Sequence, residues 1–252
     1  MGKSRTQLAV CSWQFHEPRT SVQSRTNPNT VLSWQIAVGR STNREPPYKP
    51  EPPNFSTSKV NSKPMTQTRD DAWNLLCEHT PSDSLRRHCM GAETCMRWYA
   101  EKLGEDVEKW GIAGLLHDFD YEQHPDEHPL WGIALLKDQG WPEDVIQAIG
   151  AHYTAKTGVE PTAPMDKYLF ACDELSGFIT AVTYVRPSKS IMEVKVKSVT
   201  KKLKTLNFAA GVNRDDVYNG AEVIGTDLNE HIGNCITAMQ GNAEALGLKG
   251  DV

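Results

Sequence analysis

The chain has 252 residues, enough for one domain with a sizeable core and at most a second small one. Its formal net charge of −5 gives no whole-chain sign of nucleic-acid binding. No run of 18 apolar residues occurs, which excludes a helical membrane span.

The average charge hides a split. Residues 1–64 carry nine Lys/Arg and three acids, leaving eighteen basic and twenty-nine acidic residues for the rest. The same segment holds eight of the fifteen prolines, and its only apolar stretch is Val31–Val38. A segment of this kind cannot bury enough surface to offset its ordering entropy, so disorder is expected, with at most a short strand or turn at Val31–Val38. It reads as an upstream extension with Met65 as the functional start, or as an Arg/Ser-rich transit peptide. The expected location is cytoplasmic under the first reading and an organelle under the second.

From Thr66 onward the pattern is helical. Thr68 is a candidate N-cap for TRDDAWNLLCEHT. A second helix starts near Ser82, carries Leu85, Cys89, Ala92, Met96 and Tyr99 at helical spacing, and stops at Gly104. A third, EDVEKWGIAGLLHD, is followed by the polar loop FDYEQHPDE. Further helices are expected at about 128–139, 142–153, 164–184, 190–204, 213–225 and 227–246. Lys195–Val199 is the best strand candidate by alternation, although helix is preferred there too. The predicted class is all-α, with residues 65–252 forming the folded part. Trp98, Trp110, Trp131 and Trp141 read as core.

The six cysteines (Cys11, Cys77, Cys89, Cys95, Cys172, Cys235) include no CxxC pair, which argues against a zinc ribbon or a thioredoxin-type site. Four lie in apolar helical patterns, where cysteine acts as a small hydrophobe, so a reducing compartment without disulfides is expected. No apolar segment follows the N-terminus in the manner of a secretory signal.

Histidines and carboxylates mark the chemistry. His88 falls mid-helix. His117-Asp118 closes the apolar run GIAGLL, His128 opens a helix, His152 closes VIQAIGA, and Asp173 interrupts YLFAC…ELSGF. A carboxylate in so hydrophobic a segment is costly unless paired or bound to metal. Imidazole and carboxylate donors together suit Fe, Mn, Zn or similar ions, and the lack of cysteine leans away from structural zinc. His124, in the same loop as His128, reads as solvent-exposed.

The order RRH (His88), LLHD (His117, Asp118) and FACDEL (Asp173) resembles the HD superfamily of metal-dependent phosphohydrolases over roughly residues 67–185. The region 66–240 also looks like a subgroup described only as predicted hydrolases. The resemblance implies a helical bundle with metal in a central cleft, and His88, His117, Asp118 and Asp173 as ligands of a first ion. Dinuclear members insert two further histidines between the HD pair and the last aspartate. His128 and His152 stand there, which implies a second ion with Asp118 as the bridge. One or two divalent ions (Fe, Mn, Zn, Mg or similar) are therefore expected, with a metal-activated water attacking phosphorus in line.

Asp118, Asp120 and Glu122 are candidates to orient that water. Arg87, Arg186, Lys189 and Arg214 are candidates to hold the phosphate, since Arg suits bidentate contact. The run KVKSVTKKLK reads as a solvated helix face. The expected partner is a small phosphorylated substrate, such as a nucleotide ester or anhydride, with neither nucleic acid nor membrane. Two other functions fit the same pattern: a mixed-valent di-iron oxygenase and a non-catalytic sensor or binding module. Oligomeric state is not encoded in any motif.

Overall fold

The computed structural model describes residues 66–250. The basic extension and the turn expected at Val31–Val38 lie outside those residues, as does Cys11. Every regular element among the described residues is helical: α1 (Arg69–His79), α2 (Asp83–Leu103), α3 (Val107–Leu116), α4 (Leu130–Asp138), α5 (Glu143–Ala151), the single turn α6 (Thr154–Thr157), α7 (Pro164–Tyr184), α8 (Val196–Leu203), α9 (Arg214–Val223) and α10 (Leu228–Gly241). The all-α expectation holds. None of these helices is long and apolar enough to cross a membrane.

The helix starts follow from local chemistry. Thr68 Oγ1 accepts from the Asp71 amide while Asp71 returns a carboxylate oxygen to the Thr68 amide, a reciprocal capping box. Ser82, Asp106, Asn213 and Asp227 cap α2, α3, α9 and α10 by side-chain acceptance alone, each taking up an amide that the helix cannot satisfy. α2 ends at Gly104, whose φ of 73° is the left-handed stop the sequence predicts.

Two departures from the sequence pattern lie in the C-terminal part. The stretch expected as one helix at 190–204 is a 3-10 turn, Ile191–Glu193, then α8, with Val194 and Lys195 extended between them. Ile191 and Val194 are both buried, and the Ile191 amide bonds the Leu248 carbonyl, so tertiary packing draws the turn away from the helix axis. At the strand candidate Lys195–Val199 the preferred helix is found: Lys195 is the N-cap and α8 begins at Val196. α10 stops at Gly241, and the residues after it form turns.

α2 and α7 are the two longest helices and form the frame. They run antiparallel: Gly91 lies against Ser176, while Cys95 faces Cys172 one turn further along. Trp110 and Trp141 are buried, and Trp98 and Trp131 pack half-buried against the core. The five cysteines among the described residues are free, four of them buried.

α3 packs on α2 at very short range. A Cβ at Gly114 would lie 2.8 Å from backbone atoms of Glu93. The same Glu93 is 4% exposed and accepts from Arg69 and Arg97, and Arg97 also pairs with Glu108. One buried carboxylate thus ties α1, α2 and α3 together. Gly114→Ala should force the α2–α3 pair apart, costing about 1–3 kcal/mol as overpacking does. In thermal unfolding that appears as a fall of several degrees in Tm; an unchanged Tm would show that the helices can slide at no cost.

Candidate metal centre

α2, α3, α5 and α7 converge on one cluster. His88 comes from mid-α2. His117 and Asp118 follow the last residue of α3, His152 follows α5, Asp173 is on α7, and His128 comes from the loop before α4. The bundle therefore gathers six residues spread over 86 positions of sequence. The cluster is nearly closed: His117 is fully buried, and the side chains of His88, Asp118 and Asp173 are 13–16% exposed.

The donor atoms fall into two sets. His88 Nε2, His117 Nε2 and Asp173 Oδ1 lie 2.9–3.2 Å from one another. The second set is Asp118, His128 and His152. Asp118 faces both: its Oδ2 is 3.5 Å from His88 Nε2 and 3.6 Å from His117 Nε2. Its Oδ1 is 3.3 Å from His128 Nε2 and 3.5 Å from His152 Nε2. Each set is able to hold one metal ion.

The far nitrogens of three rings are tied back. His117 Nδ1 donates to the Gly114 carbonyl and His152 Nδ1 to the Ile149 carbonyl, each within its own last helical turn. His128 Nδ1 donates to Asp120 Oδ1 at 2.7 Å. Such partners fix the tautomer, so that the Nε2 lone pair points inward.

Packing Nε2 atoms and carboxylate oxygens this closely demands positive charge between them. In the metal-free form protons must supply it. Burial alone would lower the imidazole of His88, but its hydrogen bonds to Asp118 and Asp173 outweigh that and raise it to about 10. His117 and His128 are raised against burial by the same carboxylates and, for His128, by Asp120. Burial pushes the other way on Asp118 and Asp173, yet the imidazoles hold Asp118 well below the carboxylate range and Asp173 below it.

Asp120 and Glu122 occupy places the sequence did not suggest. Asp120 is not a solvated loop carboxylate: it is 1% exposed, with Oδ1 on His128 and Oδ2 on the Gly132 amide. Both its oxygens are engaged in holding His128, which removes it from the task of orienting a water. Glu122 is exposed and accepts from the Ser82 amide at the start of α2. The histidine set aside in the sequence, His124, stacks on Trp131 at 3.8 Å.

The four phosphate candidates do not converge on the cluster. The Arg214 guanidinium donates to the carbonyls of Phe208, Ala209 and Val212 and lies over the Phe178 ring, so it holds the loop before α9. Arg186 pairs with Glu193 beyond the end of α7. Lys189 is exposed in the same turn, and Arg87 is exposed beside Gly247. Sequence reasoning missed Glu174. Burial, with the charge of Asp173, pushes its carboxyl up to about 8, and the Asn213 amide bonds it. Its position next to Asp173 in an apolar helix was the available signal.

A family model described as HD domain matches residues 85–177, a span that includes all six donors. The chain carries an HD domain. Beyond the family model, the chain is 30% identical over 138 residues to ribonuclease Y of Oleidesulfovibrio alaskensis, covering 53% of this chain and 25% of that protein. It is 38% identical over 82 residues to ribonuclease Y of Desulfotalea psychrophila, covering 31% of this chain and 15% of that one. The chain thus spans a quarter or less of the length of these relatives. No solved structure matches.

Two outcomes are expected. Asp120→Ala frees His128 Nδ1 and should weaken metal retention at the Asp118–His128–His152 set by about 10–100-fold, read by metal titration. An unchanged affinity would mean that Asp120 only caps α4. The second concerns protons. The folded pKa of His88 lies above its ordinary 6.5, so its pairing stabilises the metal-free fold fully below about pH 6.5 and is lost as pH rises through about 10. Chelated protein should lose Tm between pH 7 and 10 more steeply than metal-loaded protein. Metal uptake at pH 7 should release protons, measurable by calorimetry in buffers of different ionisation enthalpy.

Proposed function

We propose that this HD domain is a metal-dependent phosphohydrolase holding two divalent ions. His88, His117 and Asp173 would hold the first, and His128 and His152 the second, with one Asp118 oxygen given to each. The observation that carries the reading is the split of Asp118, whose two oxygens face two different histidine pairs. Bound ions would supply Lewis acidity, lowering the pKa of a water to about 7 and offsetting charge on the phosphoryl oxygens.

The chain's own residues set the geometry. The carbonyls of Gly114 and Ile149 and the carboxylate of Asp120 hold three imidazoles in fixed tautomers. Near-complete burial of the donors keeps bulk water away and strengthens each electrostatic contact. Asp118 keeps the two donor sets in register. The absence of thiolate from the set suits oxygen-rich phosphate chemistry and the harder divalent ions.

The substrate class we favour is a phosphate ester of a nucleotide. The relatives named ribonuclease Y support a phosphodiester as the first linkage to try, although this chain covers only a quarter or less of their length. The same six donors would also serve an iron pair in an oxygenase, so metal identity decides between the two chemistries.

Asp118→Ala should abolish hydrolysis of bis(p-nitrophenyl) phosphate, by more than about 100-fold, and empty both sites, because it removes the shared ligand. His152→Ala should leave one ion per chain where the parent holds two, by elemental analysis. Full metal content in Asp118→Ala would sink the site assignment. Iron at both sites with oxygen-dependent turnover and no ester hydrolysis would replace hydrolysis by the oxidative reading.

A further inference from the structure

The acidic balance of the chain conceals one strongly basic stretch. From Val194 to Arg214 there are six cations and no acid. Five are lysines of α8 and its flanks: Lys195, Lys197, Lys201, Lys202 and Lys204. α8 buries Val199 and Leu203 against the bundle. Lys197, Lys201 and Lys204 recur at four and three residues, so they share the opposite face, about 6 and 4.5 Å apart along the axis. All three are exposed and none pairs with a carboxylate among the described residues. A solvated helix face normally mixes signs along i, i+4 pairs. An unbalanced stripe of cations repels itself and is the electrostatic footprint of a polyanion partner.

Lys202 flanks the stripe. It is half-buried, with Nζ 4.4 Å from the centre of the Phe208 ring. Phe208 packs edge-on against Phe178 of α7, ring centres 5.5 Å apart. The preceding residue, Gly177, lies against the His88 imidazole: a Cβ there would be 3.3 Å from Nδ1. A cation and an aromatic ring therefore connect the lysine face to the helix that carries Asp173.

We propose that the lysine face of α8 binds the sugar–phosphate backbone of a single-stranded nucleic acid, which continues past Lys202 and Phe208 towards the metal centre. Positive charge tracking a backbone beside an aromatic surface is how sequence-tolerant single-strand binding is built. A strand fits better than a flat anionic bilayer, because Lys202 and Phe208 turn off the face towards α7, where a plane does not follow. The exposed Met192 and Leu206 make a vesicle the rival probe. Only the strand's direction rests on the phosphohydrolase reading; its binding does not. The local charge here overrides the expectation from net charge that nucleic acid is no partner.

The test uses the full chain and a fluorescein-labelled 20-nucleotide 2′-O-methyl uridine strand, which resists cleavage, in anisotropy titrations from 50 to 200 mM NaCl. Binding should weaken with salt. Lys197→Ala/Lys201→Ala should lower affinity about tenfold and reduce the slope of log K against log salt by about 1.4, two phosphates' worth for a single strand. The charge-matched control Lys102→Ala/Lys137→Ala, on α2 and α4, should change affinity less than twofold. The inference is overturned by no binding of the strand, by equal losses in the two variants, or by lysine-dependent binding of phosphatidylserine vesicles with none of the strand. The binding assay decides it whether or not bis(p-nitrophenyl) phosphate is hydrolysed.

Discussion

Six electron-rich donors forced into contact inside a helical bundle set the terms for the surrounding structure. His88 Nε2 lies 3.1 Å from His117 Nε2, and two carboxylates stand within 3.6 Å of both. Placed in a low-dielectric interior, such a set is unfavourable unless cations sit among its lone pairs. Protons can do this, which is why the imidazoles are raised although burial alone would lower them. Divalent ions do it better, since each neutralises more charge and satisfies several donors at once. The fold must spend part of its packing on holding those donors in place, and α2 and α7 are the long antiparallel rails that do so.

The supports of the cluster reveal a division of labour. His117 and His152 each follow the last residue of a helix, and each bonds the carbonyl three residues back, so helix ends that leave carbonyls unsatisfied orient ligands instead. His128 sits in a loop with no helix to orient it, and the chain supplies a buried carboxylate, Asp120, for that purpose. The cost of burying Asp120 is offset by the Gly132 amide on its other oxygen. Gly132 itself has no room for a side chain, because a Cβ would meet Asp120 at 2.8 Å.

Helix class, caps and the six donors were legible from the sequence because each has a short-range signal. Thr68, Ser82 and Gly104 announce their boundaries, and Asp173 stands out against an apolar run. What was not legible depends on side-chain direction. Asp120 lies two residues from Asp118 in a polar loop, and nothing local says that it turns inward while Glu122 turns out. Arg214 looked like a phosphate ligand because it stands in a turn, yet its guanidinium is consumed by three carbonyls of its own loop. The break at Val194–Lys195 was hidden for another reason: a helical pattern runs through it, and the packing of Ile191 against the C-terminal segment overrides that pattern.

The distribution of charge links these observations. The metal cluster is internally compensated, so it exerts little long-range attraction on an anionic substrate, and Glu174 beside it is kept neutral near pH 7 by burial. The cations expected to hold phosphate are bound to carbonyls, paired or pointed elsewhere. On the phosphohydrolase reading, attraction would come from cations outside the cluster, and the acid-free segment from Val194 to Arg214 holds five lysines. Exposed charges act over about 10 Å at moderate salt, so such a face gathers a substrate with several phosphates far better than one with a single phosphate. In the proposed arrangement, separating capture from chemistry would let the six donors stay buried and rigid while the recruiting surface stays solvated.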